Sequence, residues 1–148
     1  MSSEAITFFV MPIVMLKEIR TQMETQTSKN NVDDILYEVG IRCGSVLAQT
    51  AYDSDSLESL KKEMPDIWIE AGLGILEIVV QSDDISVRIT RSSEAYVMGG
   101  NDKACHFSRG FLAGLFSETL GTNYFCEENE CINQGKNACL YSLKRVDA

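Results

Sequence analysis

The chain has 148 residues, a formal net charge of −9 and one histidine. That length fits a single domain able to bury a core without disulfides, and the acidic balance argues against a nucleic-acid backbone or an anionic membrane surface as partner. One histidine also excludes sites that need two, such as HExxH or Cys2His2 zinc.

From the N-terminus, Met1 to Ala5 contains no Lys or Arg, so no secretory signal is expected. The apolar stretch from Ala5 to Leu16 is about a dozen residues, against about 20 for a membrane span. Ile6 to Val10 predicts a short strand. Pro12 suits the first position of a helix running to about Gln26, with Ile13, Leu16, Ile19 and Met23 at helical spacing. After a polar break, Asn31 is the expected cap of a second helix, with Asp33 and Asp34 in its first turn. Residues 1–30 are therefore read as an arm, the expected dimer contact, and residues 31–148 as the domain proper.

In the second helix Ile35, Leu36, Val39, Cys43, Val46 and Leu47 recur every three or four positions. Gly40 and Gly44, four apart, predict close approach of another backbone. A third helix runs from Ser54 or Asp55 to about Glu70, interrupted at Pro65. Ile75–Gln81 and Ile85–Arg91 are strands split by the turn cluster Ser82-Asp83-Asp84. Gly99 to Asp102 is a loop. Cys105–Leu120 is a helix, and Tyr124–Ile132 and Ala138–Leu143 form a second hairpin. The fold class is α+β: an antiparallel sheet of two hairpins packed with helices.

Five cysteines is an odd count, a poor match to a disulfide framework. Reduced thiols in the cytoplasm are the expectation. Four of them lie near the C-terminus: Cys105, Cys126, Cys131 and Cys139. Cys131 and Cys139 fall on opposite arms of the second hairpin. Cys105 starts a helix, where amides and the dipole favour a thiolate. One ion could gather Cys105, Glu128, Cys131 and Cys139 into a tetrahedron, a ligand set that suits Zn²⁺. Cys126 is an alternative to Glu128, and plain burial of the thiols is the alternative to any metal.

The stretch Cys105-His106-Phe107…Gly110…Gly114…Glu128-x2-Cys131-x3-Gly135-x3-Cys139 resembles the 4-vinyl reductase domain. The upstream segment from Ile35 through Gly40 to Gly44 is similar to that domain's early helix. The resemblance implies a fold shared with transport-particle (TRAPP) subunits, a homodimer, and binding of small hydrophobic molecules. It also implies a zinc ion held by three cysteines and a glutamate, at Cys105, Glu128, Cys131 and Cys139. It gives Glu128 precedence over Cys126.

For a binding role, Arg109, Leu112, Phe116, Tyr124, Cys126 and Trp68 are the candidate ligand-contacting residues. Arg109, if it faced a pocket, would favour an anionic or polar head. For an enzyme, the sequence offers neither a complete GxGxxG nor a phosphate loop. His106 is the only candidate base, and no catalytic residue is assigned. The reading is a zinc-stabilised sensor or carrier domain for a small hydrophobic or partly anionic molecule. The alternatives are an accessory enzyme or reductase of tetrapyrrole-type metabolism, or an assembly scaffold.

Overall fold

A computed structural model describes residues 9–51 and 56–146. In chain order these form α1 (Val14–Glu24), α2 (Lys29–Ala51), α3 (Leu57–Glu70), β1 (Ile75–Gln81), β2 (Asp84–Thr90), α4 (Ser93–Met98), α5 (His106–Leu120), β3 (Tyr124–Glu130), a short 3-10 turn (Ile132–Gln134) and β4 (Cys139–Arg145). The four strands make one antiparallel sheet in the order β1-β2-β4-β3. The two expected hairpins therefore lie side by side, joined where β2 pairs with β4. The α+β class and the two-hairpin sheet are as the sequence predicts.

The sheet has one dry face. Ile85, Val87 and Ile89 on β2 and Cys139, Tyr141 and Leu143 on β4 are buried, while Asp84, Ser86 and Arg88 between them are exposed. Period-two alternation sends each set to its own face. The dry face meets α5, whose Leu112, Leu115 and Phe116 are fully buried, and α3, which contributes Leu60, Met64 and Trp68.

Helix α2 crosses α5 at backbone contact. A Cβ on Gly110 would sit 2.0 Å from the carbonyl oxygen of Tyr37, and one on Gly114 would sit 2.0 Å from that of Ile41. From the other side, Cβ atoms on Gly40 and Gly44 would meet the carbonyl oxygens of Phe107 and Phe111. Two glycine pairs, each four residues apart, thus face one another, and only hydrogen atoms at those positions permit the crossing. The close approach expected at Gly40 and Gly44 is made by α5.

Several local expectations change. Ser28, not Asn31, caps α2: its hydroxyl accepts from the Asn31 N–H at 3.2 Å. Asp33 lies beyond the first turn and pairs with Arg20 of α1 and His106 of α5. Helix α3 begins after Ser56, which caps Ser59 N, and passes through Pro65 without stopping. Burial of Met64 and Trp68 on either side of the proline holds that turn in place. Residues 52–55, where that helix was expected to begin, lie outside the described residues. So does Ile6 to Phe8 of the expected first strand; Phe9 and Val10 are not in a strand and are exposed. On α1 the buried residue is Arg20, while Ile13, Val14, Met15 and Ile19 face outward. No helix among the described residues is long and apolar enough to cross a membrane.

Candidate metal centre

Three pieces of backbone converge beneath the sheet's dry face. Cys105 is the residue before α5, Glu128 lies on β3, and Cys131 and Cys139 flank the turn that joins β3 to β4. Strict alternation would put residues 128 and 131, three apart, on opposite faces of a strand. A bulge prevents this. Glu128 pairs with Tyr141 and Glu130 with Leu140, so Asn129 is an extra residue with no register partner on β4, although its side chain donates to Ser142 Oγ. The extra residue resets the alternation and lets both side chains face inward.

One ligand atom from each of Cys105, Glu128, Cys131 and Cys139 lies within 4.8 Å of every other, and all four residues are buried. The Sγ atoms of Cys105 and Cys139 are 3.8 Å apart, as are those of Cys139 and Cys131. Two thiolates bound tetrahedrally to zinc at about 2.3 Å stand about 3.8 Å apart. A disulfide needs about 2.05 Å, so the spacing suits a shared ion rather than a bond. Glu128 Oε1 accepts from the Cys105 N–H at 3.2 Å, but Oε2 is buried without a partner. A bound cation would satisfy that oxygen. The residues present therefore fit a metal ion. Cys126 is buried on β3 but is not one of the converging four.

Titration in the cluster is collective. Cys131 is pushed down because the Cys105 and Cys139 thiols donate to it, and Cys105 is pushed up by its bonds to Cys131 and Cys139. Glu128 is raised to about 7, first by burial and then by the nearby Cys131 charge. Cys126 is pushed up, mainly by burial. Four negative ligands crowded in a dry site repel one another, and a divalent cation relieves both the crowding and the burial cost.

The surroundings supply donors. The Ile132 N–H reaches Cys139 Sγ at 3.5 Å. Ser92 Oγ accepts from the Ala95 N–H and lies 3.6 Å from Cys105 Sγ, so its own proton can point to that sulfur. Glu94, 2% exposed, accepts from the N–H groups of Phe107 and Ser108 at 2.9 and 2.8 Å. It takes the place of a side-chain cap that Cys105 does not provide. Sequence reasoning missed both Ser92 and Glu94 along with α4, which carries Glu94. The Ser92-Ser93-Glu94 run is a helix-start signal that the short helix hides.

The expected ligand-contacting residues divide. Trp68, Leu112, Phe116 and Cys126 are at most 1% exposed and belong to the core. Phe111 packs edge-on to Trp68 at 5.4 Å, and Tyr124 edge-on to Phe116 at 6.3 Å. The Trp68 Nε1–H is buried without a partner. The Arg109 guanidinium lies 3.9 Å over the Tyr37 ring and donates to the Cys126 carbonyl at 3.3 Å. It is engaged between α2 and β3 rather than presented to an apolar space. His106 bridges Asp33, 3.4 Å from Nε2, and Arg109, 3.5 Å from Nδ1. Burial holds its pKa below the ordinary value, against the pull of Asp33. Accepting at Nδ1 and donating at Nε2 suits the neutral ring.

Two openings flank His106. One, of about 370 Å³, lies between α1, the start of α2 and the 98–104 segment. The other, of about 190 Å³, is lined by Lys103, His106, Arg109, Glu127 and Glu128.

The sequence profile of the 4-vinyl reductase domain, also written vinyl-4-reductase, matches residues 85–145, a span that holds all four cluster residues. A relative of Methanocaldococcus jannaschii, known as an uncharacterized protein, is 30% identical over 118 residues. That match takes in 76% of this chain and 66% of the relative, just under two thirds of its length. Among solved structures, the phenol-responsive sensory domain of the transcription activator PoxR, with phenol, aligns at a TM-score of 0.77 and 16% identity. The alignment covers 93% of this chain and 76% of that one. A trafficking protein particle complex subunit 3 from Naegleria fowleri, covalently bound to palmitic acid, aligns at 0.70 and 12% identity, covering 91% and 93%. The likeness in fold to a TRAPP subunit is thus seen directly.

Proposed function

Because residues 85–145 match the 4-vinyl reductase domain, we propose that the chain is a zinc-stabilised binding domain of that family for a small, largely apolar molecule, acting as a sensor or carrier. The observation that carries the binding reading is the Trp68 indole. A buried N–H without a partner costs about 1–3 kcal/mol, and this one lies in the layer between α3 and α5. A ligand with an apolar body and one hydrogen-bond acceptor would satisfy it. The phenol held by the PoxR domain and the palmitic acid held by the TRAPP subunit are molecules of that general kind. Leu112 and Phe116 belong to the same buried core as Trp68 and would form the apolar wall.

Zinc would be held by Cys105, Glu128, Cys131 and Cys139. When bound, it supplies a closed, four-ligand cross-link with no position left for substrate or water. Those residues then tie the start of α5 to the β3–β4 hairpin, fixing one end of the helix that walls the ligand layer. Ser92 orients Cys105, and the Ile132 N–H orients Cys139. The outward apolar residues of α1 support the role of residues 1–30 as the contact of a homodimer, and the reduced thiols suit the cytoplasm.

Trp68 is the single tryptophan in the chain, so its fluorescence reports on its own site. Phenol and benzoate are titrated into the purified protein. A saturable change in emission supports the reading, and calorimetry should find the affinity at least about tenfold weaker in Trp68→Phe, the loss of one buried hydrogen bond. No saturable response to either compound overturns it.

A further inference from the structure

The larger of the two openings beside His106, of about 370 Å³, falls in the size range of small-molecule sites. Three lysines stand on its walls from three separate elements: Lys17 on α1, Lys29 at the start of α2, and Lys103 in the segment that leads to Cys105. None of the three has an ion-pair partner among the described residues. With Arg20 they set four cations against three acids, Glu24, Asp33 and Asp102. In a chain of net charge −9, that is a local reversal of sign.

The acids on these walls are already engaged, and none of them holds a lysine. Arg20 Nη2 donates to Asp33 Oδ1 at 2.5 Å, and its Nε lies 3.6 Å from Glu24. Asp102 Oδ1 accepts from the Lys103 N–H at 2.8 Å. The segment carrying Lys103 is itself tied down. The Asn133 amide donates to the carbonyls of Ala95 and Gly99, at 2.9 Å each. Gly99 and Gly100 take φ of 66° and 89°, with open space where a Cβ would stand. Main chain at those two positions can meet a ligand with no side chain between.

We propose that this opening is a second binding site, for a phosphate monoester with a short hydroxylated body, whose phosphate is taken by Lys17, Lys29 and Lys103. Lysine serves phosphate as a point charge, whereas the planar fork that grips a carboxylate belongs to arginine. The one arginine here is already held by Asp33 and Glu24. The acids suit the hydroxyls. Both side-chain contacts of Asp33 go to Oδ1, one from Arg20 and one from His106, so Oδ2 is open to accept from a ligand O–H. The site shares no residue with the ligand layer at Trp68, and it stands whether or not the cysteine cluster holds a metal.

The test is calorimetry of the full chain with glycerol phosphate, with glycerol as the uncharged control and inorganic phosphate as the bare anion. Saturable binding of glycerol phosphate is expected, with none for glycerol and weaker binding of inorganic phosphate. The affinity should fall about tenfold in each of Lys17→Glu and Lys29→Glu, as a charged contact is lost. Both lysines are exposed, so the fold is not at stake. Lys62→Glu makes the same change of charge on α3, outside the opening, and should leave the affinity as it was. No saturable heat, equal binding of glycerol or of inorganic phosphate, or a loss as large in Lys62→Glu overturns the proposal.

Discussion

The carbonyl oxygen of Tyr37 stands where a side chain on Gly110 would have to begin, 2.0 Å from the position of its Cβ. Neither atom can move alone, since each belongs to the backbone of a helix. Gly110→Ala is therefore expected to force α2 and α5 apart. Overpacking typically costs about 1–3 kcal/mol, and a backbone clash on both helices places this variant at or above the upper end. Urea denaturation should show a large fall in midpoint, whereas Arg42→Ala on the exposed side of α2 should change it little.

The centre predicts a sharp contrast between two cysteines on neighbouring parts of one hairpin. Cys131→Ser removes a converging sulfur and should lower bound zinc from about one per chain to a small fraction. It should also destabilise the fold by several kcal/mol, since structural zinc contributes on the order of 10 kcal/mol in small zinc domains. Cys126→Ser leaves the four converging residues untouched and should keep its zinc. Elemental analysis and thermal melting read both. Equal zinc in the two variants would sink the assignment.

Glu94 gives a pH dependence with a defined sign. Burial raises its pKa above the ordinary carboxylate value of about 4.3. Its contribution to stability is then complete below that value and declines as pH rises through the raised folded value. The stability of the native chain relative to Glu94→Gln should accordingly fall from about pH 4 upward. Glu94→Ala, which strands two α5 amides, should cost about 1–3 kcal/mol. A difference that grows with pH would contradict the burial argument.

The Arg109 guanidinium stacked on Tyr37 predicts that lysine is a poor substitute. Arg109→Lys keeps the charge but loses the planar contact and the reach to the Cys126 carbonyl, at a cost of about 1 kcal/mol. If the stability is unchanged, the stack contributes nothing measurable.

The elements legible in the sequence are those whose signals are local. The β1–β2 turn and the spacing of Gly40 and Gly44 each depend on neighbouring residues alone, and each is found as read. The set Cys105, Glu128, Cys131 and Cys139 is what the family resemblance implies, and their ligand atoms lie together. Other features depend on tertiary partners. Glu94 looks like an ordinary surface acid until α4 turns it beneath α5. The α1 stripe has helical spacing, yet it exposes Ile13 and Ile19 and buries Arg20, because Asp33 and Glu24 lie on the inner side. The sequence leaves open whether Arg109 faces a pocket or solvent, and only the position of Tyr37 shows what it meets.

The unpaired Asn129 on β3 ties the ligand spacing to an irregularity of the strand. Glu128 and Cys131 stand three apart, and they reach the same side only because β3 holds one residue more than β4 can pair. Without Asn129 they would stand two apart, and regular alternation would bring them together unaided. A homologue reading Glu-x-Cys on an even strand would therefore keep the centre. One with the present spacing and an even strand would lose it. Matching residue identities at fixed spacing would reject the first and accept the second; strand register is what tells them apart.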